Sequence, residues 1–565
     1  MRDVRARRRG TLAAFACALL LYLPAVDWGT LDANRADVVR GWGVDDETPL
    51  GTLSELSGIR KARPDRNLGY PLMHPLMLGA VYAPYLGMLY ARGEFRPGPP
   101  SWPYGLAEPR GALRTLALLS HLLSALLAAG IVACAFDIGA ELWGRRAGFL
   151  GAAVTAVMFP LFYYARTGNV DVPALFFVAV AYAAFARILN RGLGTQSALF
   201  LGAAVGFAVA TKEPMFAAFL ALPIVVVALH AVRVRRQGGG AATFLRPPLL
   251  ALGACALAFG LGSGLFIDPE RFLAHVAFAQ ERVSELAAGE IASNAAAPMT
   301  LAGNLSLARV IGGQLAGTLT EPGLAIAFIG ILIALRRRPL AAALALPALT
   351  YLTVLFFVGR ASELRYVLPA ALSLAPFAGR AIDAGLDSGQ RMLRAGAATA
   401  LVAVVGLGLL RGADLTWEML RDSRHDAAQW LQLRAQEGQR LAFFGADQNV
   451  PVVPAVVALA RANVYHGAVR TPATGPDAVA DIRNRWHTER PDYILIMPDH
   501  SSPPGVPHSA SCPPAIYDAL VDGSLGYRLG ADFRTARLLP WLPRPALDYP
   551  TVNPPIRIFV PAGTT

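Results

Sequence analysis

Apolar runs close to 20 residues long recur through the first 411 positions of the chain. A hydrocarbon core about 30 Å thick takes roughly 20 helical residues to cross. In lipid, every backbone amide must find its partner within its own helix or barrel. Such a chain is expected to be an α-helical polytopic membrane protein. Only 16% of its 565 residues are charged and 54% are hydrophobic, whereas a soluble domain carries about 25% charged residues. Soluble multidomain enzymes, disulfide scaffolds and disordered chains are excluded. Cys17, Cys134 and Cys255 lie in apolar runs and Cys512 stands alone, so no structural disulfide is expected. No HExxH or paired CxxC spacing is present, and no cofactor is indicated; the sequence leaves a divalent metal open without calling for one.

The formal charge of +12 comes mostly from Arg in short loops between apolar runs, where basic residues set topology. No nucleic-acid partner is expected. Spans are predicted near 11–26, 112–136, 147–164, 172–190, 196–211, 213–232, 247–267, 322–335, 340–358, 365–383 and 395–411, about 11 in all. The run Tyr70 to Tyr90 carries Pro71, Pro75 and Pro84, which interrupt the helix ladder and suit a juxtamembrane helix in the first outer loop. If it does not cross, Arg145 and Arg146, Arg187 and Arg191, Arg233, Arg235, Arg236 and Arg246, Arg336 to Arg338, and Arg380, Arg391 and Arg394 all fall on the cytoplasmic side. The expected localisation is the cell inner (plasma) membrane of a bacterium, N-terminus cytoplasmic. Residues 1–411 form the transmembrane domain. Residues 412–565, with short apolar strands at 441–444 and 493–497 and helices near 417–436 and 474–487, read as a small extracytoplasmic α/β domain with a Pro-rich tail.

This topology collects acids and bases on one face. The first outer loop holds Asp32, Asp37, Asp45, Asp46, Glu47, Asp65, Arg66 and His74. Later outer turns supply Arg166 and Asp171, then Lys212 in Thr211-Lys212-Glu213-Pro214, then Arg365 and Tyr366. Ionisable groups beside lipid are costly unless paired or functional. Each has a simpler reading: the acidic triplet as a solvated loop, Asp171 as a helix cap, Lys212 as a snorkelling end, Arg365-Tyr366 as an interface anchor. Their conjunction at four turns on one side favours function. Lys61 and Lys212 are the only lysines in an Arg-dominated chain, and a compact ammonium suits a phosphate.

The chemistry that fits is transfer of a group from a lipid-linked phosphate. A carboxylate takes the proton of an attacking hydroxyl. Lys and Arg stabilise the charge growing on the departing phosphate, while the lipid tail stays in the bilayer.

With an acidic first loop, Tyr70-Pro71-Leu72-Met73-His74-Pro75, Arg166…Asp171-Val172-Pro173 and Thr211-Lys212-Glu213-Pro214 in this order, residues 10–410 resemble the GT-C glycosyltransferases. Within these, the chain is similar to the protein O-mannosyltransferase and lipid A aminoarabinose transferase group. The resemblance implies a GT-C fold and an inverting transfer from a polyprenyl-phosphate sugar donor to a lipid, glycan or protein acceptor. The family's Asp-Glu pair matches Asp46-Glu47 by identity, but Asp45 if Pro49 sets the register; both stand as the base. Asp171 matches a second family acid. Lys212 and Arg365 match positions near the donor phosphate, with Arg166, Tyr366 and His74 beside them. Where the family often has a basic residue before a double proline, this chain has His74-Pro75-Leu76. The rival class is a transporter or flippase for a lipid-linked or small anionic substrate. That class calls for polar groups at mid-span and repeated halves, which the sequence does not display.

Overall fold

The computed structural model describes residues 2–30, 41–43, 46, 49–61, 68–97, 99, 102–288, 297–445, 447–466, 471–499, 502, 505–547 and 551–563. The chain opens with α1 (Arg2–Tyr22), α2 (Pro49–Ser57) and α3 (Met73–Ala91), followed by the long α4 (Pro109–Trp143). Next come α5 (Arg145–Ala156), α6 (Phe159–Tyr164), α7 (Asp171–Arg191), α8 (Thr195–Thr211), α9 (Leu222–Arg236), α10 (Ala241–Gly262) and α11 (Pro269–Ala288). The membrane part closes with α12 (Leu301–Leu319), α13 (Glu321–Arg337), α14 (Pro339–Ala342), α15 (Leu346–Val354), α16 (Leu368–Leu386) and α17 (Arg391–Leu420).

Each predicted span falls on helix, but the count of 11 is not confirmed. Among the described residues, 6 helices are long and apolar enough to cross a membrane, or 7 if α12 and α13, bent by 95°, make one span. Local physics separates the two counts. The run at 147–164 is cut between α5 and α6 ahead of Pro160, and α8 has 17 residues. The basic cluster Arg5 to Arg9 lies inside α1 itself. The 70–90 segment is the helix α3, packed on α2 and α4, and it is not among the candidate spans. Helices α2, α11 and α12 had no counterpart in the sequence reading.

Small residues let the spans approach closely, the usual solution where lipid gives no hydrophobic drive to association. Gly202 and Gly206, four apart on α8, face α10 so tightly that an added Cβ would lie 2.0 Å from the Ala251 carbonyl oxygen and 2.4 Å from that of Cys255. The Arg-rich ends are knitted together. Arg7 lies 3.1 Å from Asp137 and also pairs with Glu141, Arg191 bonds Glu141 at 2.6 Å, and Arg146 pairs with Asp383.

Beyond α17 the chain forms α18 (Ser423–Arg434), β1 (Arg440–Phe443), β2 (Ala458–Arg461), β3 (Val464–His466), β4 (Thr471–Ala473), α19 (Pro476–Glu489), β5 (Tyr493–Ile496), α20 (Pro514–Val521), β6 (Tyr527–Phe533) and β7 (Ile556–Pro561). The main sheet has the order β2-β1-β5-β7-β6, with β1 parallel to β2 and β5 and with β7 antiparallel to β5 and β6. Apolar clusters cover both faces. The Pro-rich stretch expected as a tail carries β7, inside the sheet. Its Ile556, Ile558 and Phe559 are buried.

The segment before β7 returns to the membrane helices. Arg537 and Arg544 reach Asp414 of α17 at 2.6 and 3.0 Å, and Tyr163 bonds Thr551 at 3.1 Å. Asp422 accepts from the Trp28 indole at 3.1 Å, the Asn553 amide at 2.9 Å and the Arg424 guanidinium at 2.8 Å. The Arg424 guanidinium lies 3.7 Å over the Trp42 ring, an attraction of ring face for cation. The sheet domain thereby grips the loop leading to Asp46.

Candidate active site

Four helix ends meet at the pole of the bundle away from the Arg clusters. Asp171 is the first residue of α7, where the helix dipole favours a negative charge. Its amide donates to Asn169 Oδ1 at 2.6 Å, shaping the turn. Lys212 ends α8 in an extended conformation, φ −152°, because Glu213-Pro214 starts a new 3₁₀ turn. Arg365 and Tyr366 lie in the 3₁₀ turn Leu364–Val367 that leads into α16.

The Lys212 ammonium is 2.5 Å from Asp171 Oδ1, and the Arg365 guanidinium is 3.7 Å from Asp171 Oδ2. All three side chains are at least nine-tenths buried. Asp171 Oδ2 accepts no hydrogen bond among the described residues. Lys212 also faces the rings of Tyr366 and Tyr70, at 5.5 and 5.9 Å. Arg365 lies 5.4 Å over Tyr366 and bonds Glu363 at 2.9 Å. Buried ions need such partners, since desolvation outweighs an imperfect attraction.

Asp46 reaches the same pole by pairing its backbone with Asn169, two residues before Asp171. Its Oδ1 accepts from the Gly168 amide at 2.6 Å, and its Oδ2 lies 3.2 Å from His121 Nε2 of α4. His121 Nδ1 is 2.9 Å from the Val26 carbonyl, which can only accept. The imidazole therefore donates from Nδ1 to Val26 and sets its Nε2 against the Asp46 carboxylate. Gly41 makes room for this: an added Cβ would stand 1.7 Å from Asp46 Oδ2.

His74, in the first turn of α3, is fully buried, with Nδ1 unbonded among the described residues. Burial lowers its pKa to about 4, against the opposing pull of the Asp46 and Asp171 charges. It is a neutral imidazole facing both acids.

The sequence-predicted residues thus divide. Asp46, Asp171, Lys212, Arg365, Tyr366 and His74 gather at one pole. Arg166 stands apart, its guanidinium donating to the carbonyls of Phe162, Tyr22 and Leu21 at 2.5, 3.1 and 3.2 Å; it fastens the end of α1, where a cation is favoured. Asp45 and Glu47 lie outside the described residues, as do Asp32, Asp37, Asp65 and Arg66. Sequence reasoning gave no site role to His121, Asn169, Gly41, Tyr70 or Glu363. Tyr70 and Glu363 stood within the motifs that drew attention, beside His74 and Arg365, and His121 carried a signal as an ionisable residue in an apolar run. Among the described residues, no group of three or more His, Cys, Asp or Glu stands together to hold a metal ion.

Comparison with known proteins finds a family model that matches part of the chain. Residues 117–256 match the model of the dolichyl-phosphate-mannose-protein mannosyltransferase family; this segment contains His121, Asp171 and Lys212. No curated protein matches the chain. Among solved structures, the chain is similar to ArnT from Cupriavidus metallidurans bound to undecaprenyl phosphate, with 14% identity over 97% of each chain and a TM-score of 0.44. It is similar to the archaeal oligosaccharyltransferase AglB from Archaeoglobus fulgidus, in complex with an inhibitory peptide and a dolichol-phosphate, at 14% identity, 86% of this chain, 69% of that chain and a TM-score of 0.42. The mycobacterial arabinofuranosyltransferase AftD is matched at 14% identity over 99% of this chain and 42% of that one, with a TM-score of 0.41. Over residues 117–256 the chain is thus similar to the protein mannosyltransferase family, in agreement with the resemblance that its motifs carry.

Proposed function

We propose that the protein is an inverting glycosyltransferase that moves a sugar from a polyprenyl-phosphate donor to a hydroxyl acceptor at the outer face of the membrane. The observation that carries this reading is the buried Asp171–Lys212–Arg365 group beside Asp46. It offers a carboxylate for a hydroxyl proton and two cations for a phosphate within one pole of the bundle.

In this reading the acceptor oxygen attacks the anomeric carbon as the bond from that carbon to the phosphate oxygen breaks. The bonding pair leaves with the polyprenyl phosphate. The acceptor proton passes to Asp46, whose orientation is fixed by the Gly168 amide and His121; each carboxylate oxygen keeps a further lone pair. Lys212 and Arg365 stabilise the phosphate as its charge rises. Tyr366 braces both cations, and the unbonded Asp171 Oδ2 is free to orient a sugar hydroxyl. Neutral His74 can share one hydrogen bond with the phosphate through its unbonded Nδ1. The Arg-rich pole then faces the cytoplasm and the sheet domain lies outside.

The test is sugar transfer by the purified protein in lipid. Asp46→Asn is expected to lower turnover by about 10²–10⁴-fold, the usual worth of general-base catalysis, while polyprenyl phosphate still binds. Transfer by Asp46→Asn at the unaltered rate would remove Asp46 from the mechanism.

A further inference from the structure

The opposite pole holds a second site that the proposed function does not use. The turn between α7 and α8 and the ends of α9 and α10 enclose a cavity of about 560 Å³. Arg187, Arg191 and Arg233 line it, and among the described residues no carboxylate does. Two of these arginines have acidic partners behind the cavity, Arg191 with Glu141 at 2.6 Å and Arg187 with Asp137 at 3.8 Å. Arg233 is differently placed. Among the described residues no carboxylate pairs with it, and its Nη2 reaches only the Asn190 carbonyl, at 3.4 Å.

The backbone adds to the positive field. Gly192, at φ +93°, lets the Arg233 guanidinium lie directly on the turn, where an added Cβ would be 2.0 Å from Nη1. Gly194 has no side chain to cap the first-turn amides of α8, while its own amide donates to Ser197 Oγ at 3.0 Å, and Thr195, Gln196 and Ser197 of that turn form a wall of the cavity. First-turn amides have no partner within their own helix, and the helix dipole adds positive charge there. The other side is apolar: Phe200 and Pro247 line it, next to the exposed Leu245 and Leu249 of α10. A site cationic at one wall and open to an apolar helix face at the other suits a charged head joined to a hydrocarbon tail.

We propose that this cavity binds a phosphate group carrying net negative charge, held by Arg233 with Arg187 and Arg191 and by the first turn of α8. Two sources share this chemistry, the headgroup of an anionic membrane lipid and a soluble phosphate. The proposal stands apart from the catalytic reading, because none of its residues belongs to the Asp46–Lys212 pole.

The experiment uses the full-length protein in neutral detergent, with retained lipid counted by native mass spectrometry after incubation with phosphatidylglycerol or phosphatidylcholine. Phosphatidylglycerol is expected to be retained in preference. Arg233→Gln should lower that retention about tenfold, the lower end of what a hydrogen bond to a charged group is worth. Thr195→Glu should lower it at least as much while leaving the fold intact, since an acid in the first turn favours the helix but repels an anion. Displacement of phosphatidylglycerol by millimolar inorganic phosphate would assign the site to a soluble phosphate, and retention under phosphate would assign it to lipid. Equal retention of the two lipids by the unaltered protein, or unchanged retention in both variants, would overturn the proposal.

Discussion

Lys212 has two potential duties, neutralising Asp171 and holding a phosphate, and paired substitutions separate them. Lys212→Gln removes an ammonium 2.5 Å from a carboxylate when both side chains are more than nine-tenths buried. Arg365, at 3.7 Å, is then the nearest cation to Asp171. Breaking a buried pair on one side costs about 3–5 kcal/mol, so the variant should melt at a lower temperature. Lys212→Gln combined with Asp171→Asn leaves neither charge behind and should recover most of that stability. Phosphate binding should behave differently. A charge-assisted hydrogen bond is worth about 1.5–3 kcal/mol, or roughly 10–150-fold in Kd. The assay is binding of polyprenyl phosphate to the purified protein, with the matching polyprenol as the control lacking a phosphate. The single variant should lose affinity for polyprenyl phosphate on that scale and keep its affinity for polyprenol. The double variant should regain thermal stability and part of the phosphate affinity, because the carboxylate that repels the anion is gone too. If it binds polyprenyl phosphate as tightly as the unaltered protein, Lys212 serves only Asp171, and the phosphate role is refuted.

Three further outcomes are expected. Gly41→Ala should displace Asp46, whose Oδ2 would lie 1.7 Å from the new methyl, and lower sugar transfer about 10²-fold or more with polyprenyl-phosphate binding retained; full transfer would mean that Asp46 need not stay where it is. His74 titrates lower folded, at about 4, than its ordinary 6.5, so the unfolded chain binds the extra proton and stability falls as pH drops through that window, by up to about 3 kcal/mol. Thermal melts at pH 7 and pH 4.5 should show a smaller drop for His74→Gln than for the unaltered protein. In a cysteine-free background, Arg92→Cys and Gln237→Cys, both at exposed positions, should label from opposite sides of the membrane, Arg92→Cys from outside; labelling of both from one side would break the proposed topology.

Much of this arrangement was legible because its signals were local. Asp171 before Val172-Pro173, and Lys212 before Glu213-Pro214, sit at the ends of apolar runs, where charge is conspicuous. Parity of the runs then brings the two to one face, and the structure has them in contact. The sheet domain was legible at β1 and β5, which are short apolar runs between turn residues, and not at β7, whose setting of prolines reads as tail. His121 was hidden by its surroundings. A lone histidine in an apolar helix reads as packing, and its role depends on the Val26 carbonyl 95 residues away. Arg166 misled for the opposite reason: a guanidinium at the mouth of a span looks like a ligand for phosphate, yet backbone carbonyls take its protons. The number of spans depends on whether broken or charged helices such as α5 with α6, and α1, are counted as crossing. Periodicity alone does not decide that.

The grip of Asp422 and Arg424 on Trp28 and Trp42 has a temporal consequence. The ribosome delivers the tryptophans early, their clamp some four hundred residues afterwards, and Asn553, which completes the Asp422 contacts, later still. A half-made chain already threaded into the bilayer therefore lacks the brace for the loop that carries Asp46, so this pole should be completed only late in biogenesis, after the last strand has docked.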